Sequence, residues 1–211
     1  MKDDYIIIKN AVSPDLCKFI ALEYEMMETV CNHLYQGADL SDLCKNTFAR
    51  YSPLMMEALS VQLQPQIETA VNMRLFPTYS YARIYYEGSE LQQHFDRPSS
   101  EVTVSVCLEK GVDWPLYVQN AEGVTHALEL EVGDIGIYSG RKHKHWREPL
   151  SGKRHIQAFL QYVNAEGDDA WLKWDTRACL GLPFEYTSQA IQNELKHIAS
   201  VKDLLDNARR N

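Results

Sequence analysis

Between residues 79 and 163 the chain reads as a series of short β-rich runs, at 79–86, 102–108, 116–118, 126–130, 135–138 and 155–163. Turn residues separate them: Gly88-Ser89, Lys110-Gly111, Glu122-Gly123, Gly133-Asp134 and Ser151-Gly152. Many short strands at this spacing predict an antiparallel sandwich or barrel. The run 102–108 alternates, with Val102, Val104, Val106 and Leu108 on one face and Thr103, Ser105 and Cys107 on the other. The valine face is expected to pack on helices and the small polar face to line a pocket.

Helices flank this β region. Ser13-Pro14 is a start signal, since serine caps the first amides and proline sits where none is needed. Leu16, Phe19, Ile20, Tyr24 and Met27 follow at three-four spacing, giving one apolar face. Residues 36–46 read as a polar loop. A second helix is expected from Ser52-Pro53 through Leu63, with Pro65 breaking or kinking it and a short piece continuing over 66–73. Ile191, Leu195, Ile198, Val201 and Leu205 form an apolar stripe that predicts a C-terminal helix. With no repeat and no linker, one domain is expected over 1–211: a mostly helical part at 1–78, a β core at 79–163 and an extension with a helix at 164–211. The fold class is mainly β with flanking helices.

The formal net charge of -8 argues against general nucleic-acid binding, which needs surplus Lys and Arg against phosphate. No apolar stretch approaches the roughly 20 residues that span a membrane, and no signal peptide is seen. The five cysteines, Cys17, Cys31, Cys44, Cys107 and Cys179, are odd in number and scattered, which points to a reducing cytoplasm.

The chemistry concentrates in three places. His94-Phe95-Asp96 puts an imidazole and a carboxylate two residues apart, on one face of an extended chain. The 141–147 segment adds His143 and His145 as candidates for a third ligand. Two histidines and one carboxylate suit iron(II) and leave three positions open. Arg154, nine residues past His145, can pair in bidentate fashion with a carboxylate. Alone, the His-x-Asp triplet is a weak signal; the ordered set is stronger.

In this order the motifs resemble those of the iron(II)/2-oxoglutarate dioxygenases, nearest the prolyl-4-hydroxylase-like branch. The first block is Tyr85-Tyr86-Glu87-Gly88-Ser89-Glu90-Leu91-Gln92-Gln93-His94-Phe95-Asp96. The second is Gly133-Asp134, followed by His145-Trp146-Arg147-Glu148-Pro149-Leu150-Ser151-Gly152-Lys153-Arg154. The resemblance covers about residues 79–163 and implies a double-stranded β-helix (jelly-roll) core with the N-terminal helices on its major sheet. Since the family carries Lys or Arg nine or ten residues past its distal histidine, it favours His145 over His143 as ligand. It further implies Fe(II), 2-oxoglutarate and O2, with ascorbate as an optional reductant. Arg154 and Tyr85 would contact the co-substrate, and Ser105 and Cys107 would line its pocket, Cys107 standing where prolyl hydroxylases often have tyrosine.

Substrate-contacting residues in such enzymes lie on loops, which makes Arg97, Arg147 and Trp114 the candidates here. The implied activity is hydroxylation of a prolyl residue or an amino-acid-like small molecule. A nucleic-acid demethylating branch is disfavoured, because its second arginine would fall at Leu160. Outside this class stand a non-catalytic jelly-roll binding module and a cupin-like metal enzyme that does not use 2-oxoglutarate.

Overall fold

The computed structural model describes residues 4–35 and 44–182. Ten strands form two antiparallel sheets. The strands are β1 (Tyr5–Ile8), β2 (Thr47–Tyr51), β3 (Leu75–Tyr86), β4 (Leu91–His94), β5 (Val102–Lys110), β6 (Leu116–Gln119), β7 (Thr125–Leu128), β8 (Ile135–Tyr138), β9 (Lys144–Arg147) and β10 (Arg154–Asn164). The major sheet runs β1-β8-β5-β10-β3-β2 and the minor sheet β4-β9-β6-β7. Two helices, α1 (Pro14–Tyr35) and α2 (Leu54–Val71), complete the expected mainly β fold.

Side-chain alternation divides the interior into two layers. Val102, Val104, Val106 and Leu108 of β5 join Ile156, Ala158, Leu160 and Tyr162 of β10 against Cys17, Ile20 and Tyr24 of α1 and Met56, Leu59 and Ile67 of α2. Phe19 lies outside this face, 58% exposed. The second layer, between the sheets, is built from Tyr85, Leu91, Trp114, Leu116, Val118, Leu128 and Tyr138. Two buried tyrosines tie the helices to the major sheet through their hydroxyls. Tyr24 donates to the Ala82 carbonyl (2.6 Å) and Tyr162 to the Ser60 carbonyl (2.7 Å).

Several local expectations change. The Ser13 hydroxyl accepts from the Leu16 amide (3.3 Å), as the start signal implies. Pro65 does not end α2: the bond it forfeits falls to the carbonyl of Val61, an exposed residue whose carbonyl can be hydrated. The helix ends instead at Asn72, in the left-handed conformation that a helix C-terminus favours (φ 51°). β3 starts at Leu75, before Pro77, because Pro77 sits beside a register shift in the pairing with β10, where a ladder amide is dispensable. Gly133 (φ +89°) has no substitute, since a Cβ there would run into the Val12 carbonyl. The expected C-terminal helix and most of the 36–46 loop lie outside the described residues. Among the described residues no helix is long and apolar enough to cross a membrane.

Candidate metal centre and co-substrate pocket

β4 and β9 pair so that His94 stands directly opposite His145, their ring centroids 4.2 Å apart. Asp96 lies just beyond the end of β4, not in the strand, and its amide is fixed by the Gly140 carbonyl (2.9 Å). His94 Nε2 is 3.5 Å and His145 Nε2 3.6 Å from the same oxygen, Asp96 Oδ1. The three ligand atoms all lie within 4.8 Å of one another. His143 is not part of the cluster: its carbonyl instead orients His145.

The protons show what this cluster fits. His94 Nδ1 bonds the Gln92 carbonyl (2.7 Å) and His145 Nδ1 the His143 carbonyl (3.0 Å). A carbonyl only accepts, so each Nδ1 carries a proton, and in the neutral ring each Nε2 presents a lone pair. Two lone pairs and a carboxylate oxygen then face one point, which is unfavourable unless a cation lies between them. Backbone carbonyls orienting ligand histidines are the usual support of a metal centre. If the imidazoles of His145 and His94 carried protons in place of a metal, their charge and bonds would offset burial and hold the Asp96 carboxyl well below the ordinary range. The site fits a divalent metal.

The other carboxylate oxygen is held as well. Thr103 Oγ1 lies 3.1 Å from Asp96 Oδ2 and 2.8 Å from the side-chain amide of Gln161. Gly140 makes room for this arrangement, because a Cβ there would sit 2.9 Å from Asp96 Cγ and nearer still to Oδ2 and Thr103. The sequence shows Thr103 only as part of a polar face and gives Gly140 no distinguishing mark, so both roles emerge from the folded chain.

Deeper between the sheets lies a second cluster. Tyr85 is fully buried, stacks edge-on against Trp114 (4.8 Å between centroids), and its hydroxyl has no partner. Arg147 is 2% exposed, lies over the Trp114 ring (4.5 Å), and donates to the Trp114 carbonyl and to Gln157 Oε1 (3.2 Å). Its Nε has no partner. Gln157 also accepts from His155 Nε2 (2.7 Å) and donates to Ser105 (2.8 Å). Cys107 is buried on the same inward face. Tyr85, Ser105 and Cys107, expected to contact the co-substrate or line its pocket, are all fully buried.

Two other expected site residues are held in ion pairs. Arg154 lies on the helix side of β10, where Nε and Nη2 pair with Glu109 (both 2.7 Å) and Nη2 also meets Glu25 of α1 (2.6 Å). Its position follows from its strand: Ile156, Ala158 and Leu160 share that face and pack on the helices. A bulge in β5 adds to this, skipping Leu108 so that Glu109 stands opposite Ile156. Arg97 is also committed, pairing in bidentate fashion with buried Asp175 (3.0 and 2.6 Å) and lying over the Tyr79 ring (4.0 Å). Trp114 faces the inter-sheet layer, and its indole donates to the Glu148 carbonyl (2.7 Å).

No protein-family model matches the sequence, and no curated protein matches it. Solved structures do match the fold. A prolyl-4-hydroxylase from Pseudomonas putida superposes with a TM-score of 0.62 at 15% identity, over 77% of this chain and 94% of that one. HygX from Streptomyces hygroscopicus, solved with nickel, 2-oxoglutarate and hygromycin B, gives 0.58 at 11% identity, over 77% and 84%. SnoN, a non-heme alpha-ketoglutarate-dependent epimerase from nogalamycin biosynthesis, gives 0.61 at 11%, over 88% and 92%. The chain therefore has the jelly-roll fold of solved iron(II)/2-oxoglutarate oxygenases, prolyl hydroxylases among them, and carries a His-Asp-His cluster within it.

Proposed function

We propose that the chain is an Fe(II)- and 2-oxoglutarate-dependent oxygenase that hydroxylates a C–H bond of a prolyl residue or an amino-acid-like small molecule. The observation that carries this reading is the convergence of His94 Nε2, His145 Nε2 and Asp96 Oδ1 on one point. Three protein ligands leave half of an octahedral shell for co-substrate and oxygen. When bound, iron and 2-oxoglutarate supply the oxidising power: substrate, O2 and 2-oxoglutarate become hydroxylated substrate, succinate and CO2, one oxygen atom going to each organic product.

The chain's own residues hold and shelter this chemistry. The Gln92 and His143 carbonyls fix both imidazoles, and Thr103 fixes the carboxylate. Trp114, Leu116, Val118 and Tyr138 form an apolar wall behind them. The choice of substrate is supported by likeness to a prolyl-4-hydroxylase and to a protein solved with the small molecule hygromycin B. Buried free Cys17, Cys31, Cys44 and Cys107 are consistent with a reducing cytoplasm.

Purified protein supplied with Fe(II), 2-oxoglutarate and O2, together with a panel of peptides and free amino acids, should release succinate and yield products heavier by one oxygen. His94→Ala and Asp96→Ala should abolish both. Succinate release that persists unchanged in those variants would sink the proposal.

A further inference from the structure

The geometry points to Arg147, assisted by the Tyr85 hydroxyl, as the anchor for the distal carboxylate of the keto-diacid co-substrate, in place of Arg154. This rests on the Fe(II)/2-oxoglutarate reading and concerns which cation of this chain serves it.

The first support is an imbalance of charge and bonding. Arg147 is 2% exposed, yet among the described residues no carboxylate pairs with it. Its two recorded acceptors, the Trp114 carbonyl and Gln157 Oε1, are neutral, and Nε bonds to nothing. A buried guanidinium without a counter-ion is costly, and an incoming anion removes that cost. The Tyr85 hydroxyl is a second buried group without a partner, and its ring packs on the same Trp114 that lies under the guanidinium. One cation and one hydroxyl, both unsatisfied against a shared indole, form a site for a carboxylate.

The second support is position. Arg147 and the ligand His145 are two residues apart on β9, so both side chains project to one face. A five-carbon keto-diacid that chelates a metal at the triad through its keto-acid end carries its other carboxylate three carbon–carbon bonds further on. Along β9, the next side chain on that face is Arg147.

The third support removes the competitors. Arg154 is on the opposite side of the sheet, saturated by Glu109 and Glu25. Ten residues past His145, the chain offers His155, which does face inward, stacked on Trp114 (5.3 Å) and bonded to Gln157. Burial, and after it the charge of Arg147, push His155 down to about 3, so it enters the pocket as a neutral ring. Of these three, Arg147 is the one that both faces the pocket and carries a charge.

The test compares 2-oxoglutarate with pyruvate, which keeps the keto-acid end and lacks the distal carboxylate. Affinities for the Ni(II)-loaded protein are measured by calorimetry, after a separate titration of Ni(II) into the metal-free protein. Wild type should prefer 2-oxoglutarate strongly. Arg147→Gln should bind Ni(II) unchanged while its preference for 2-oxoglutarate falls about 30-fold or more, the scale of truncating a buried charge pair. Arg154→Gln should keep the full preference. Arg147→Lys, which retains the charge, guards against misfolding of the glutamine variant and should show a reduced preference. A full preference in Arg147→Lys or Arg147→Gln, or its loss in Arg154→Gln, overturns the anchor assignment alone. Failure of wild type to bind Ni(II) or 2-oxoglutarate overturns the oxygenase reading as well.

Discussion

Gly140→Ala tests the metal centre through a residue that is neither a ligand nor charged. The added methyl would stand 2.9 Å from Asp96 Cγ, and nearer to Oδ2 and to Thr103 Oγ1. Carbon contacts are comfortable at about 3.5–4.0 Å, so the carboxylate must retreat by roughly 0.6–1.1 Å. Retreat toward Thr103 is blocked by the same methyl, which leaves displacement away from the bond that now positions Oδ2. Metal–carboxylate bonds are about 2.0–2.2 Å long, and a shift of this size moves the ligand by a quarter to a half of that length. Disturbing the groups that orient a ligand typically costs 10–100-fold in metal affinity. That corresponds to about 1.4–2.7 kcal/mol. The assay is calorimetric titration of Mn(II) into metal-free wild type and variant, with circular dichroism as the folding control. A folded Gly140→Ala protein binding Mn(II) as tightly as wild type would refute the packing argument and the placement of Asp96 with it.

Two further outcomes concern charge. In the unfolded chain an imidazole takes up its proton near pH 6.5, whereas native His155 is pushed down to about 3 by burial and by Arg147. Between those values the unfolded state binds the additional proton, so this contribution is full above pH 6.5 and is lost as pH falls through the window. Its slope reaches about 1.4 kcal/mol per pH unit. Urea denaturation at several pH values should therefore show a flatter dependence in His155→Gln, and an unchanged slope would contradict the neutral buried ring. For Arg154→Ala, a partly exposed ion-pair network predicts a loss of no more than about 1 kcal/mol. A thermal melt should show only a small drop, with stabilisation by 2-oxoglutarate intact, and disappearance of that stabilisation would return Arg154 to the pocket.

The sequence made the ligands legible because coordination chemistry is narrow. Few residue types bind iron, and His94, Asp96 and His145 carry a recognisable order. The alternation of Val102 to Leu108 showed equally well, since burial on one face leaves a period of two. Arg154 was placed by counting residues from a histidine without following the strand, and the structure sets it on the helix side. Its neighbours Ile156, Ala158 and Leu160 are the apolar face, and that face belongs to the helices. Strands β4 and β9 gave almost no signal, being four residues each and mostly polar, because their polar side chains serve the site and not the core. The role of Gly140 was hidden for a related reason: its value lies in the space it leaves for a side chain 44 positions earlier.

The Arg97–Asp175 pair has a consequence for the order in which the protein comes into being. Arg97 follows the ligand Asp96 directly, and the group that clamps it lies 78 residues further along the chain. Tyr51 bonds the same carboxylate, and the backbone around it holds three successive non-glycine residues, Trp174, Asp175 and Thr176, at positive φ. During synthesis all three metal ligands are therefore made before the residue that fastens the loop carrying one of them. A nascent chain that has reached His145 has its full coordinating set but still lacks the carboxylate that holds Arg97.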